Sequence, residues 1–313
     1  MRLLLLGCTG FVGKELVPAL LKEGHELCII SRKNINNLKI NIPLDKFNFL
    51  KIDLSKKQNW SNENLLTNLK DSDGIINLIG EPIADKKWTD IQKEEIEKSR
   101  INSTKYLMET LKKSKINPKV LVNGSAIGFY GTSLTQEFNE NSQSGNDFLA
   151  NLCNKWEEVA NRKPFFSRLV IFRIGIVLEA EGGALGKMLP IFKIGLGGPI
   201  GDGNQWMSWI HRSDLCGLII KALVDKQFSG VYNAVAPEPV LMKYFSKTLG
   251  RCLKRPDLLP VPGSILKLLL GDGAKLVLEG QKVISIKLQE KIYKFKFPLL
   301  EKAIYASTKN KFH

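Results

Sequence analysis

The sequence predicts an α/β protein, a doubly wound parallel sheet with a smaller C-terminal lobe. Three observations predict it. Short apolar runs alternate with stretches of helical periodicity along most of the chain, and strands buried on both faces read as such runs. Three glycines, Gly7, Gly10 and Gly13, sit between the first run and the first helical stretch. The 313-residue length, with 43% hydrophobic and 25% charged residues, leaves room for a large core. That composition excludes a disulfide-stapled miniprotein and a disordered chain.

The elements follow in order. Arg2–Leu6 is an apolar strand, and beyond the glycines Val12, Leu16, Ala19 and Leu20 recur at helical spacing. Pro18 lies inside that helix, where it removes one backbone bond. A second apolar run, 26–30, ends at Ser31, Arg32 and Lys33. Further strands are expected at 47–52, 74–79, 120–123, 169–174 and 230–234, and helices at 90–113, 148–161, 213–224 and 241–253. The stretch 182–203 holds eight glycines and Pro199, and is expected to be a long ordered excursion over the cleft. The expected division is a dinucleotide-binding domain over 1–235 and a C-terminal region over 236–313, with 182–203 contributing to the lobe that holds substrate.

Charge is uneven. Residues 1–150 carry 21 Lys/Arg against 18 Asp/Glu, residues 151–313 carry 25 against 13, and from Leu241 onward the count is 15 against 5. The C-terminal lysines are interspersed with Leu, Ile and Phe, which reads as a solvated face, not as a site for specific nucleic acid. No apolar run reaches the roughly 18 residues needed to cross a bilayer. Met1, Arg2 and four leucines before Cys8 imitate a signal peptide, but the apolar stretch is too short. Five cysteines, an odd number without a CxxC pair, indicate neither a disulfide framework nor a metal site and fit a reducing cytoplasm. Gly182, Gly186 and Lys187 imitate a phosphate loop, but the spacing is one residue short and Met188 replaces the hydroxyl that would bind magnesium.

The glycines carry the chemistry. In GxxGxxG the first glycine permits the turn off the strand, the second lets backbone amides approach a pyrophosphate, and the third lets helix and strand pack closely. The phosphates then rest on the helix N-terminus. With Thr9, Phe11 and Val12 between them, these residues form a Rossmann-type dinucleotide cradle. The end of the second strand selects the dinucleotide: an acid there would bind a ribose 2′-hydroxyl, and cations suit a 2′-phosphate. Ser31, Arg32 and Lys33 therefore favour NADP, with NAD left open as the second choice. Asp53, followed by Leu54 at the end of the third strand, is placed to accept from the adenine amino group.

GCTGFVG at 7–13, NLIGEPI at 77–83, GSAIGFYG at 124–131, GGALGKMLP at 182–190 and GNQWMSWIHRSDL at 203–215 resemble the extended short-chain dehydrogenase/reductase superfamily. They are most similar to its atypical "epimerase family" branch, and the stretch from Arg255 to Tyr305 resembles the C-terminal domain of unknown function that marks that branch. The resemblance implies cofactor contacts from Leu78, Ile79, Gly80 and Asn102. It also implies a catalytic Tyr with a Lys four residues later, the Lys lowering the Tyr pKa. No YxxxK occurs between 140 and 165; the aligned positions read Leu149 and Cys153, and the customary hydroxyl falls on Ala126 with Ser125 beside it.

Other groups are candidates for proton transfer. Glu81 lies past the fourth strand, at the sheet edge where ligands of doubly wound folds bind. His211 sits between Trp209 and Asp214, and Ser125 and Tyr130 carry hydroxyls. Arg173, after the sixth strand, is expected to bind the cofactor and face the substrate across the cleft. The sequence thus supports two readings, an NADP-dependent oxidoreductase or epimerase-like enzyme acting on an unidentified small molecule, and a cofactor-binding regulator without turnover. The resemblance associates the second with cell division. A homodimer is compatible with either.

Overall fold

The computed structural model describes residues 1–35, 43–162, 168–291 and 293–309. Its central sheet holds seven parallel strands: β1 (Arg2–Leu6), β2 (Glu26–Ser31), β3 (Asn48–Lys51), β4 (Gly74–Asn77), β5 (Val120–Ala126), β6 (Leu169–Ile174) and β7 (Gly230–Ala234). Their order is β7-β6-β5-β4-β1-β2-β3. The winding reverses between β1 and β4, the point at which doubly wound folds open a crevice beyond their strand ends.

The alternation within β1 shows why the sheet is covered twice. Leu3 and Leu5 join a core with Leu16, Val17 and Leu20 of helix α1 (Gly13–Lys22). Leu4 and Leu6 point the other way, onto Leu65 and Leu69 of α2 (Glu63–Lys70) and Leu107 and Leu111 of α3 (Asp90–Lys113). All four leucines are fully buried, so a one-residue slip would leave no face for solvent. Helix α4 (Phe148–Ala160) packs beside α3, capped by Asp147, whose carboxylate accepts from the Ala150 amide at 2.8 Å.

The 182–203 stretch is not a loop throughout. It contains helix α5 (Gly183–Lys193), because Leu185, Leu189 and Phe192 recur at i, i+4 and i+7 and bury one stripe. That stripe shares a core with α7 (Met242–Leu253) through Met242, Phe245 and Leu249, and with Leu300, Ala303 and Ile304 of the last helix. Helix α6 (Arg212–Val224) lies on the α1 side of the sheet, and α8 (Gly263–Leu270) follows α7 on the surface. Among the described residues no helix is long and apolar enough to cross a membrane, and no cluster of His, Cys, Asp and Glu could hold a metal.

Candidate dinucleotide site

Of the three glycines in the turn after β1, one borders open space. A Cβ at Gly7, whose φ is +74°, would stand 2.5 Å from the Ile79 nitrogen, and one at Gly13 would collide with the Cys8 carbonyl. A Cβ at Gly10 would meet nothing within 4 Å. The first and third glycines thus let the chain close against β4 and against itself. The second leaves open space at the start of α1, whose Lys14 amide donates to the Gly10 carbonyl at 3.1 Å. The residues fit a pyrophosphate resting on a helix N-terminus.

The end of β2 is tied to this loop. The Thr9 and Ser31 hydroxyls are 3.3 Å apart, and Ser31 Oγ also accepts from the Lys33 amide at 3.2 Å. Arg32 leans across β1 and donates through Nη2 to Glu81 Oε2 at 3.1 Å, while Lys86 Nζ donates to Glu81 Oε1 at 3.3 Å. Burial pushes the Glu81 carboxyl up, but the bonds from Arg32 and Lys86 outweigh it and hold the group below the usual range. The backbone beneath is fixed: the Glu81 amide donates to Ser99 Oγ, and Arg100 Nη2 donates to the Glu81 carbonyl. A Cβ at Gly80 would press on the Arg100 guanidinium at 2.9 Å. Leu78 and Ile79 complete the wall, the Leu78 amide donating to the Leu6 carbonyl and the Ile79 amide to Asn77 Oδ1.

Asp53 stands at the far side. Its burial is outweighed by bonds from the Ser55 hydroxyl at 2.7 Å and amide at 3.1 Å, so the carboxyl stays ionised. Leu54, expected beside Asp53 at the cofactor, has its side chain in the core under α2, and its carbonyl accepts from Trp60 Nε1, which seats Asp53. Asn102 lies half-buried on α3, two residues beyond Arg100.

Three of the four candidates for proton transfer are buried and hydrogen-bonded inside the protein, although His211 Nε2 has no hydrogen-bond partner among the described residues. Ser125 Oγ donates to Glu157 Oε1 at 2.6 Å. Arg173 turns inward instead of facing the cleft, donating to both Glu157 oxygens at 2.9 and 2.8 Å and to the Tyr130 hydroxyl at 2.9 Å. Its guanidinium stacks 3.3 Å from the Phe129 ring centre. Tyr130 in turn donates to Asn233 Oδ1 at 2.7 Å, and burial pushes its phenol pKa up. His211 caps α6, Nδ1 accepting from the Ser213 amide at 3.1 Å, and burial lowers its pKa to about 4. Leu149 packs within reach of Gly128, and Cys153 is buried, its thiol pushed up to about 12 by desolvation.

Two features escaped the sequence. Glu157, the counter-ion of Arg173, lies one helical turn past Cys153. Arg212 gathers Glu15, Glu179 and Glu181 at 2.8, 3.5 and 3.3 Å, beneath Phe11, whose ring a Cβ at Gly182 would meet at 2.8 Å. This knot joins the glycine turn to α5 and α6. The carboxylates lie 31 to 197 residues from Arg212 in the chain, so only the spacing of Glu15 on α1 offered a signal.

The strand order, the glycine cradle and the cation at the end of β2 define a dinucleotide-binding protein of the extended short-chain dehydrogenase/reductase fold. The NAD dependent epimerase/dehydratase family signature matches residues 3–234, and the chain belongs to that family. A domain of unknown function (DUF1731) matches residues 261–306. The "Epimerase family protein SDR39U1 homolog, chloroplastic" of Arabidopsis thaliana is 40% identical over 302 residues, 96% of this chain and 84% of the relative. "Epimerase family protein YfhF" of Bacillus subtilis is 35% identical over 308 residues, 97% of each. The crystal structure of human epimerase family protein SDR39U1 with NADPH superposes with a TM-score of 0.86 at 34% identity, covering 99% of this chain and 100% of that one.

Proposed function

We propose that the chain binds NADP(H) in preference to NAD(H) and acts on an unidentified small molecule as an oxidoreductase or epimerase-like enzyme. The carrying observation is the open space at Gly10 at the start of α1, with Arg32 and Lys33 in place of an acid at the end of β2. The NADPH in the human relative's structure supports the choice of dinucleotide. The α1 amides would hold the pyrophosphate, Arg32 the 2′-phosphate and Asp53 the adenine edge, while Leu78, Ile79 and Gly80 line the groove. Bound there, the dinucleotide supplies hydride exchange. Substrate would lie over the strand ends, between α5 and the C-terminal region that shares its core.

A second reading has its own support. Leu149 and Cys153 stand where Tyr and Lys are customary, Ser125 and Tyr130 spend their hydroxyls on internal bonds, and His211 is buried with Nδ1 capping α6. A chain that holds the dinucleotide without turning it over would be a cofactor-binding regulator. One pair of experiments separates the two. Calorimetric titration compares NADPH with NADH, and NADPH absorbance is followed against sugar nucleotides, quinones and aldehydes. Oxidation of NADPH supports the enzyme, and tight binding with no turnover on any compound supports the regulator. Equal affinity for the two dinucleotides overturns the cofactor assignment.

A further inference from the structure

Helix α8, Gly263–Leu270, reads GSILKLLL and buries none of its residues. Ile265, Leu268 and Leu269 recur at i, i+3 and i+4, so they form one stripe, and all three are exposed, Leu268 by 76%. An apolar helical stripe normally turns to the core. Here it faces outward.

The segment leading into α8 is also apolar and exposed. The segment before α8 runs beside the end of the α5 excursion, the Leu259 amide donating to the Gly197 carbonyl at 3.2 Å and the Val261 amide to the Pro199 carbonyl at 2.9 Å. That contact joins the stretch holding Leu258 and Leu259 to the end of the excursion that holds Ile194 and Leu196, and Leu258 and Ile194 are 79% and 70% exposed. Exposed apolar patches with a polar rim mark interaction sites. The rim here is cationic. Lys254, Arg255, Lys267 and Lys275 are exposed, and of the two acids between 254 and 275, Asp272 is bonded to Lys93 at 2.5 Å. The remaining acid, Asp257, is half-buried.

We propose that this face docks on the surface of an anionic lipid bilayer, with Leu258, Leu268 and Leu269 entering the boundary between headgroups and acyl chains. The occupant follows from the combination of groups. A bilayer of that charge offers apolar depth and anionic headgroups together, which an outward-facing leucine stripe with a lysine rim complements. A second copy meeting this face across a two-fold axis would set lysine against lysine. An acidic protein partner would need a groove to receive the helix, and it is favoured over a bilayer only if the vesicles below fail to bind.

The test uses the full chain and sedimentation with vesicles of phosphatidylcholine alone or with phosphatidylglycerol added. Binding to the anionic vesicles should exceed binding to neutral ones by about tenfold or more and fall as salt rises. Leu268→Glu with Leu269→Glu should abolish it while leaving the thermal unfolding curve in place, because both side chains are exposed. Lys254→Glu with Arg255→Glu should remove only the preference for the anionic lipid; this second pair decides the matter if the first does not fold. Equal binding to both vesicle types, no binding at low salt, or vesicle binding that survives the leucine changes each overturns the proposal. So does a dimer, seen by light scattering, that the leucine changes split in a chain that ignores vesicles.

Discussion

Arg32 and Glu81 form an ion pair at 3.1 Å that bridges over β1, since Arg32 follows β2 and Glu81 follows β4, the strands on either side of it. The pair therefore crosses the groove above the glycine turn. It makes Glu81 a competitor for the guanidinium that a 2′-phosphate would use, and it places the carboxylate somewhere other than free in solvent.

Glu81→Gln removes that competition without changing shape. A partly exposed pair of this kind is worth up to about 1 kcal/mol, so NADPH affinity should rise roughly twofold to fivefold, and NADH affinity should not move. Calorimetry reads both. If Glu81 instead transfers the proton, the same change lowers turnover by about a hundredfold or more, which leaves the two roles distinguishable in one variant.

Arg32→Ala should erase most of the preference for NADP(H). A charge-assisted bond to phosphate contributes about 1.5 to 3 kcal/mol, or roughly tenfold to a hundredfold in affinity, and NADH binding should hardly change. An Arg32→Ala chain that still binds NADPH as tightly as the parent would assign the 2′-phosphate to another cation.

Glu157→Gln tests the buried pair. Arg173 and Glu157 have side chains only 6% and 7% exposed, so removing one charge strands the other, at about 3 to 5 kcal/mol. The melting temperature should drop by many degrees. Replacing both residues with apolar ones of similar size should recover most of the loss, since the cost lies in the uncompensated charge. A melting temperature within a degree of the parent for Glu157→Gln would refute the account.

His211 sets a pH dependence with a defined sign. Its pKa falls from 6.5 unfolded to about 4 folded because burial disfavours the charged ring. The folded state then binds fewer protons than the unfolded one between these values. The histidine's contribution is complete above 6.5 and is lost as pH falls toward 4, on the order of 3 kcal/mol in all. His211→Asn keeps a side chain able to cap α6 and should flatten this part of the stability curve. Urea unfolding at neutral pH and near pH 5 measures it, and parallel curves for the two proteins would exclude His211 as the source.

The sheet was legible from the first residues because its signal is local. Four leucines in β1 cannot alternate with polar residues, so they must be covered on both faces, and the strand, turn and helix around Gly7 follow within 22 residues. The cation at Arg32 was equally readable, since it lies at the end of the same βαβ unit. Helix α5 was not, because the eight glycines around it outweighed the spacing of Leu185, Leu189 and Phe192.

The sequence by itself determined that this protein has a parallel α/β sheet, a dinucleotide cradle after β1, a cationic choice at the end of β2, and no Tyr/Lys pair on α4. Each is a matter of residue type at short spacing, where propensity and periodicity act. Tertiary structure alone decided what the polar side chains do. Arg173 meets Glu157, Tyr130 meets Asn233 across 103 residues, and Arg212 collects carboxylates from α1 and the α5 approach. A buried charge must find a partner wherever the fold brings one, and sequence distance carries no record of that meeting.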